Sequence, residues 1–130
     1  MVAPGFSLRM KPCLLILFIF CVCSKPNAQI QTTDVQEVAL SLLDSAKYYK
    51  LKNPQLSLDF SLKVLETLRE SEDNKIKFKA YILAANSEKM ASNRDIALQY
   101  STQAMDIARR MQDDDLLMQA YFMKATIYRF

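Results

Sequence analysis

The sequence predicts an all-α fold built from tandem antiparallel helical hairpins, about two and a half of them, and three observations carry the expectation. Asn53, Leu58, Ser61, Arg69, Asp73, Ala80, Tyr81 and Ala85 return forty residues later as Asn93, Leu98, Ser101, Arg109, Asp113, Ala120, Tyr121 and Ala125. Apolar residues recur at three-and-four spacing in the segments between, which gathers them on one face of a helix. The breaks between those segments are short, so successive helices must double back on each other. A unit of this kind cannot bury its apolar face alone and has to stack on its neighbours.

The amino-terminal segment has a different chemistry. Arg9 and Lys11 precede an apolar run from Pro12 to Cys23, too short to cross a bilayer core, which takes about 20 residues of helix. Ser24, Lys25, Pro26, Asn27 and Ala28 follow as a short polar stretch ending in a small residue. Residues 1–28 therefore read as a secretory signal peptide cleaved near Ala28, with export to the periplasm or cell envelope. Pro26 stands where cleavage regions favour a small aliphatic residue, and Met10-Lys11 offers an internal start. Cys21 and Cys23 follow the bulky Phe20 and Val22, which argues against lipidation; a retained anchor is the other alternative.

The mature domain, residues 29–130, would lose Cys13, Cys21 and Cys23 and so carry no disulfide, leaving packing to stabilise it. Loss of Arg9, Lys11 and Lys25 takes the basic residues from 17 to 14, equal to the 14 acidic ones. A neutral domain without a basic stripe is a poor nucleic-acid binder. Lys75, Lys77 and Lys79 form the densest basic run, and Glu70, Glu72 and Asp73 beside them suit a solvated helix face. Gly5 is the only glycine, so no phosphate-cradling loop is available. Histidine is absent, which removes the usual general base and zinc ligand. No cofactor is expected. The carboxylates at Glu70 with Asp73, and at Asp113 to Asp115, sit at helix junctions, where they suit capping better than catalysis or metal binding.

The first helix is expected from Val35, with Val38, Ala39, Leu42, Leu43, Ala46 and Tyr49 on one face and Thr33 and Gln36 at capping-box spacing. Asn53-Pro54 opens the second, a capping residue followed by proline where a missing amide costs nothing. It carries Leu58, Leu62, Leu65 and Leu68, with Phe60 and Val64 alongside. After Ser71 to Asn74 a third helix presents Ile76, Ala80, Leu83, Ala84, Ser87 and Ala91. Ser92-Asn93 leads into a fourth with Ile96, Ala97, Tyr100, Ala104, Ile107, Ala108 and Met111, and a fifth starts at Leu116. The units fall near residues 34–73, 74–113 and, as a partial one, 114–130. A closed helical bundle is the architectural rival.

These residues resemble the tetratricopeptide repeat (TPR) family in a long-period form. Tyr81 stands at the family's first large aromatic, Ala85 where two helices touch, and Ala97 and Ala104 where the second helix packs closely; Glu88 departs from an expected aromatic. Ser45, Tyr48 and Ser57 match in the first unit, with Ser41 and Val64 as loose substitutes, and Tyr121, Ala125 and Tyr128 match in the partial unit. The resemblance covers residues 34–130 and implies a right-handed superhelix whose first helices line a concave groove for a protein or peptide segment.

Carried over by that resemblance, the groove positions are Ala39, Leu42, Ala46 and Tyr49; Lys79, Ile82, Asn86 and Lys89; and Gln119, Phe122, Thr126 and Arg129. Of these, Leu42, Tyr49, Lys79, Ile82, Asn86, Lys89, Phe122 and Arg129 are the expected partner-binding residues. The lysines, amide and arginine would suit an acidic segment. The expected function is a non-catalytic binding scaffold. The alternative is an amino-terminal sensory module of a longer signalling protein, of a histidine kinase or helix-turn-helix type. The last helix presents Tyr121, Phe122, Ile127, Tyr128 and Phe130 without a covering helix, so further repeats or self-association through that face are expected.

Overall fold

The computed structural model describes residues 27–130, with side chains from Thr32 onward. The expected signal segment lies outside the described residues, apart from Asn27 and Ala28. The chain divides into residues 1–34 and residues 35–130, and the packing below lies within the second unit.

Five helices and no strand occur among the described residues: α1 (Asn27–Tyr49), α2 (Pro54–Thr67), α3 (Asn74–Met90), α4 (Arg94–Met111) and α5 (Asp114–Arg129). None of the helices in the described residues is long and apolar enough to cross a membrane. The helix starts follow from local chemistry. Asn53 accepts from the Leu56 amide at 3.2 Å and Pro54 takes the first helical position of α2. Asp73 and Asp113 each accept, through Oδ1, from the amide three residues on, Ile76 at 3.2 Å and Leu116 at 3.1 Å. These two carboxylates are therefore helix caps.

The forty-residue offset holds at the helix starts. Pro54 and Arg94 open α2 and α4, and Asn74 and Asp114 open α3 and α5. Ser61 and Ser101 are both buried and both donate to backbone carbonyls one turn back, Ser57 at 2.7 Å and Leu98 at 2.9 Å. Ala80 and Ala120 are both fully buried.

Two helix ends need a left-handed residue in a stretch without glycine. Ser92 (φ 65°) and Gln112 (φ 52°) supply it. At each, the following amide reaches back five residues, Asn93 to the Glu88 carbonyl at 2.9 Å and Asp113 to the Ala108 carbonyl at 3.2 Å. These bonds satisfy carbonyls that the helix end would otherwise leave unpaired.

Three apolar clusters fill the interior. The first joins Ala39, Leu43 and Ala46 of α1 to Val64 of α2, Leu68 just after it, and Ile76, Ala80 and Leu83 of α3. The second sets Phe78 against Ala104, Met105, Ile107 and Ala108 of α4 and Ala120 of α5. The third joins Ala85, Ala97, Met123 and Ile127. Among α2 to α5, each helix packs on the next and α3 also touches α5, while α2 meets neither α4 nor α5.

Several sequence expectations are corrected. α1 already runs from Asn27, so Thr33 and Gln36 do not open it. Gln36 Nε2 instead donates to Asp73 Oδ2 at 2.9 Å, tying α1 to the start of α3. Val35 and Val38 are exposed, because the buried seam of α1 is the narrower line Ala39, Leu43 and Ala46. Leu62, Ile96 and Ala91 also face solvent. α3 is buried on more than the expected stripe, adding Phe78, Ala85, Asn86 and Glu88, since α4 and α5 cover a second face.

Candidate functional site

Lys79, Ile82, Asn86 and Lys89 recur on α3 at steps of three, four and three, which aligns them along one stripe. Their environments differ. Lys79 is exposed, and Lys89 is half-buried with Nζ 5.2 Å from the Phe130 ring centre. Ile82 packs into the second and third clusters. Asn86 is buried, its Nδ2 directed at Met90 Sδ at 3.7 Å. On α5, Gln119, Phe122 and Arg129 are exposed, while Thr126 donates to the Met123 carbonyl at 2.7 Å.

The α1 positions are largely consumed by packing. Ala39 and Ala46 are fully buried where α1 meets α2 and α3, and the Ser57 hydroxyl donates to the Ala46 carbonyl at 2.8 Å. They are unavailable to a ligand, because small residues at a helix crossing are covered by the close approach they permit. Leu42 packs on the first cluster. Tyr49 stacks on Phe60 with centroids 5.8 Å apart and rings 10° from parallel, and Tyr48 meets Tyr49 edge-on at 5.0 Å. Lys52 stands 3.6 Å over the Tyr48 ring and Lys63 5.5 Å over Phe60, so a cation closes each end of this aromatic row.

The carboxyl ends of α3 and α5 converge with the start of α4. A cavity of about 250 Å³ there is lined by Lys89, Ser92, Arg94, Ile127 and Phe130. Arg94 Nη2 donates to the Tyr128 carbonyl at 2.8 Å and lies 3.5 Å from that of Ile127, and its guanidinium sits 5.9 Å from the Tyr128 ring. Arg94 thus caps the negative end of α5. A second, more open cavity of about 460 Å³ runs between α4 and α5, lined by Leu98, Gln99, Thr102, Gln103, Lys124 and Tyr128. Leu42 and Tyr49 line neither.

The sequence expectations did not include a polar and aromatic group between α3 and α4. Buried Glu88 accepts from Asn93 Nδ2 through Oε2 at 2.6 Å. Tyr81 and Tyr100 face each other with centroids 6.3 Å apart. The one available signal was Glu88 itself, a carboxylate at a position where the repeat pattern expects an aromatic.

Burial pushes the Tyr100 phenol above its ordinary range, and the Glu88 carboxylate and Tyr81 add to the effect. The native state therefore holds this proton more tightly than the unfolded chain, in which the phenol titrates near pH 10. Its contribution to stability is complete below about pH 10 and is lost as pH rises through the native value. Urea denaturation across the alkaline range is expected to show a shallower loss for Tyr100→Phe than for the native chain. Identical slopes would mean that Tyr100 is not shielded.

Compared with known proteins, the chain matches no family model, no curated protein and no solved structure.

Proposed function

We propose that residues 34–130 form a TPR-type helical repeat, a non-catalytic scaffold of an exported protein that binds a protein or peptide segment along the face built from its first helices. The observation that carries this reading is the direct contact of α3 with α5, while α2 meets neither α4 nor α5. A closed bundle would bring α2 back against α5, whereas stacked hairpins set α3 beside α5 and leave α2 clear of it, so these contacts favour stacking. The forty-residue recurrence of caps, buried serines and buried alanines supports the same arrangement.

The partner surface on this reading is narrower than the sequence pattern alone implies. Lys79 and Lys89 offer charge on α3, Ile82 is partly reachable, and Leu42 and Tyr49 contribute mainly by holding the wall. The two ammonium groups suit an acidic segment.

Fluorescence anisotropy with a library of labelled short acidic peptides tests the reading. Reversing charge at Lys79 and Lys89 together is expected to weaken the best binders at least roughly tenfold, with a smaller salt dependence. Unchanged affinities in the double variant would remove this surface as the binding face.

A further inference from the structure

Helix α5 is apolar on two sides. Ala120, Met123 and Ile127 lie in the interior, while Met118, Tyr121, Phe122, Ala125 and Tyr128 face solvent, Phe122 with 71% and Met118 with 66% of its surface exposed. Forty residues earlier the corresponding Phe78, Tyr81, Ile82, Ala85 and Glu88 are buried or half-buried beside α4. An apolar stripe left facing water favours association with another apolar surface.

The outer stripe has a specific pattern. Asp115, Met118, Phe122, Ala125 and Arg129 step by three, four, three and four residues, the spacing of a seam that packs on another helix. Asp114 and Asp115 occupy the first turn and Arg129 the last. A parallel copy of this helix would set like charges together. An antiparallel copy sets the acidic start of each helix against the basic end of the other, and does so twice by symmetry.

We propose that two copies of the chain pair through α5, antiparallel, about a two-fold axis passing between Met123 and Lys124. In this register Phe122 of each copy lies over Ala125 of the other, a ring filling the space left by a methyl group. Arg129 falls level with Met118 of the second copy, one turn from its Asp115. Both flanks are already braced: Arg109 Nη2 donates to the Tyr121 hydroxyl at 3.3 Å, and Arg94 holds the carboxyl end of α5. Little ordering is left to be done on association.

Sedimentation equilibrium of the full chain over a range of concentrations tests the pairing. A reversible dimer is expected, with Phe122→Glu and Ala125→Glu each weakening it at least roughly tenfold. Both positions are exposed in the single chain, so these variants should fold, as circular dichroism would verify. Arg129→Asp alone, or Asp114→Arg with Asp115→Arg, should weaken the dimer, and the three changes together should restore it. A monomer at every concentration, a dimer indifferent to Phe122→Glu, or a triple variant no tighter than its parents would each overturn the proposal.

Discussion

Phe78→Ala is expected to remove about 3–5 kcal/mol of stability, the usual cost of emptying a buried aromatic site. The side chain is 1% exposed and is packed among Ala104, Met105, Ile107 and Ala108 of α4 and Ala120 of α5. Those neighbours are short or anchored on other helices, so little can collapse into the space left behind. A domain of this size holds about 5–15 kcal/mol in total, which makes the substitution a large fraction of it. Urea titration should show the midpoint falling with the slope unchanged. Phe122→Ala, on an exposed ring, should move the single chain by less than about 0.5 kcal/mol. Near-equal effects of the two substitutions would mean that α3, α4 and α5 do not meet at Phe78.

That contrast also marks how far the fold was legible in the residues alone. Helix number and type, and the starts of α2, α3 and α5, follow from local chemistry: Asn53 with Pro54, Asp73 and Asp113 are caps because their side chains reach amides within one turn. Burial on a second face is different. Phe78 lies off the stripe of Ile76, Ala80 and Leu83, and only the arrival of α4 and α5 from later in the chain puts it inside. The role of Gln36 is hidden for the same reason. Gln36 has a partner 37 residues away in Asp73, and no local spacing announces it.

The surface residues divide along the same line. Lys79, Phe122 and Arg129 are exposed. Ala39, Ala46 and Asn86 carry the same repeat spacing yet are buried, because burial at a crossing depends on how closely a neighbour approaches. A repeat register assigns positions to faces. It does not say how much of each face the next helix covers.

Asn93→Ala should cost more than its repeat counterpart Asn53→Ala, although both residues precede a helix. Asn53 caps α2 through the Leu56 amide, and losing that bond costs typically about 1 kcal/mol. Asn93 makes no such cap for α4; its amide is turned back to donate to Glu88 at 2.6 Å. Replacing it leaves a buried carboxylate without this donor, at about 1–3 kcal/mol and more where the charge stays desolvated. A double-mutant cycle with Glu88→Ala isolates the pair, because removing both groups deletes the unpaired charge together with its partner. The double variant should therefore be less damaged than the two single losses added together. Strict additivity, or an Asn93→Ala cost no greater than that of Asn53→Ala, would show that Asn93 acts only as a turn residue and that the α3–α4 junction does not depend on this bond.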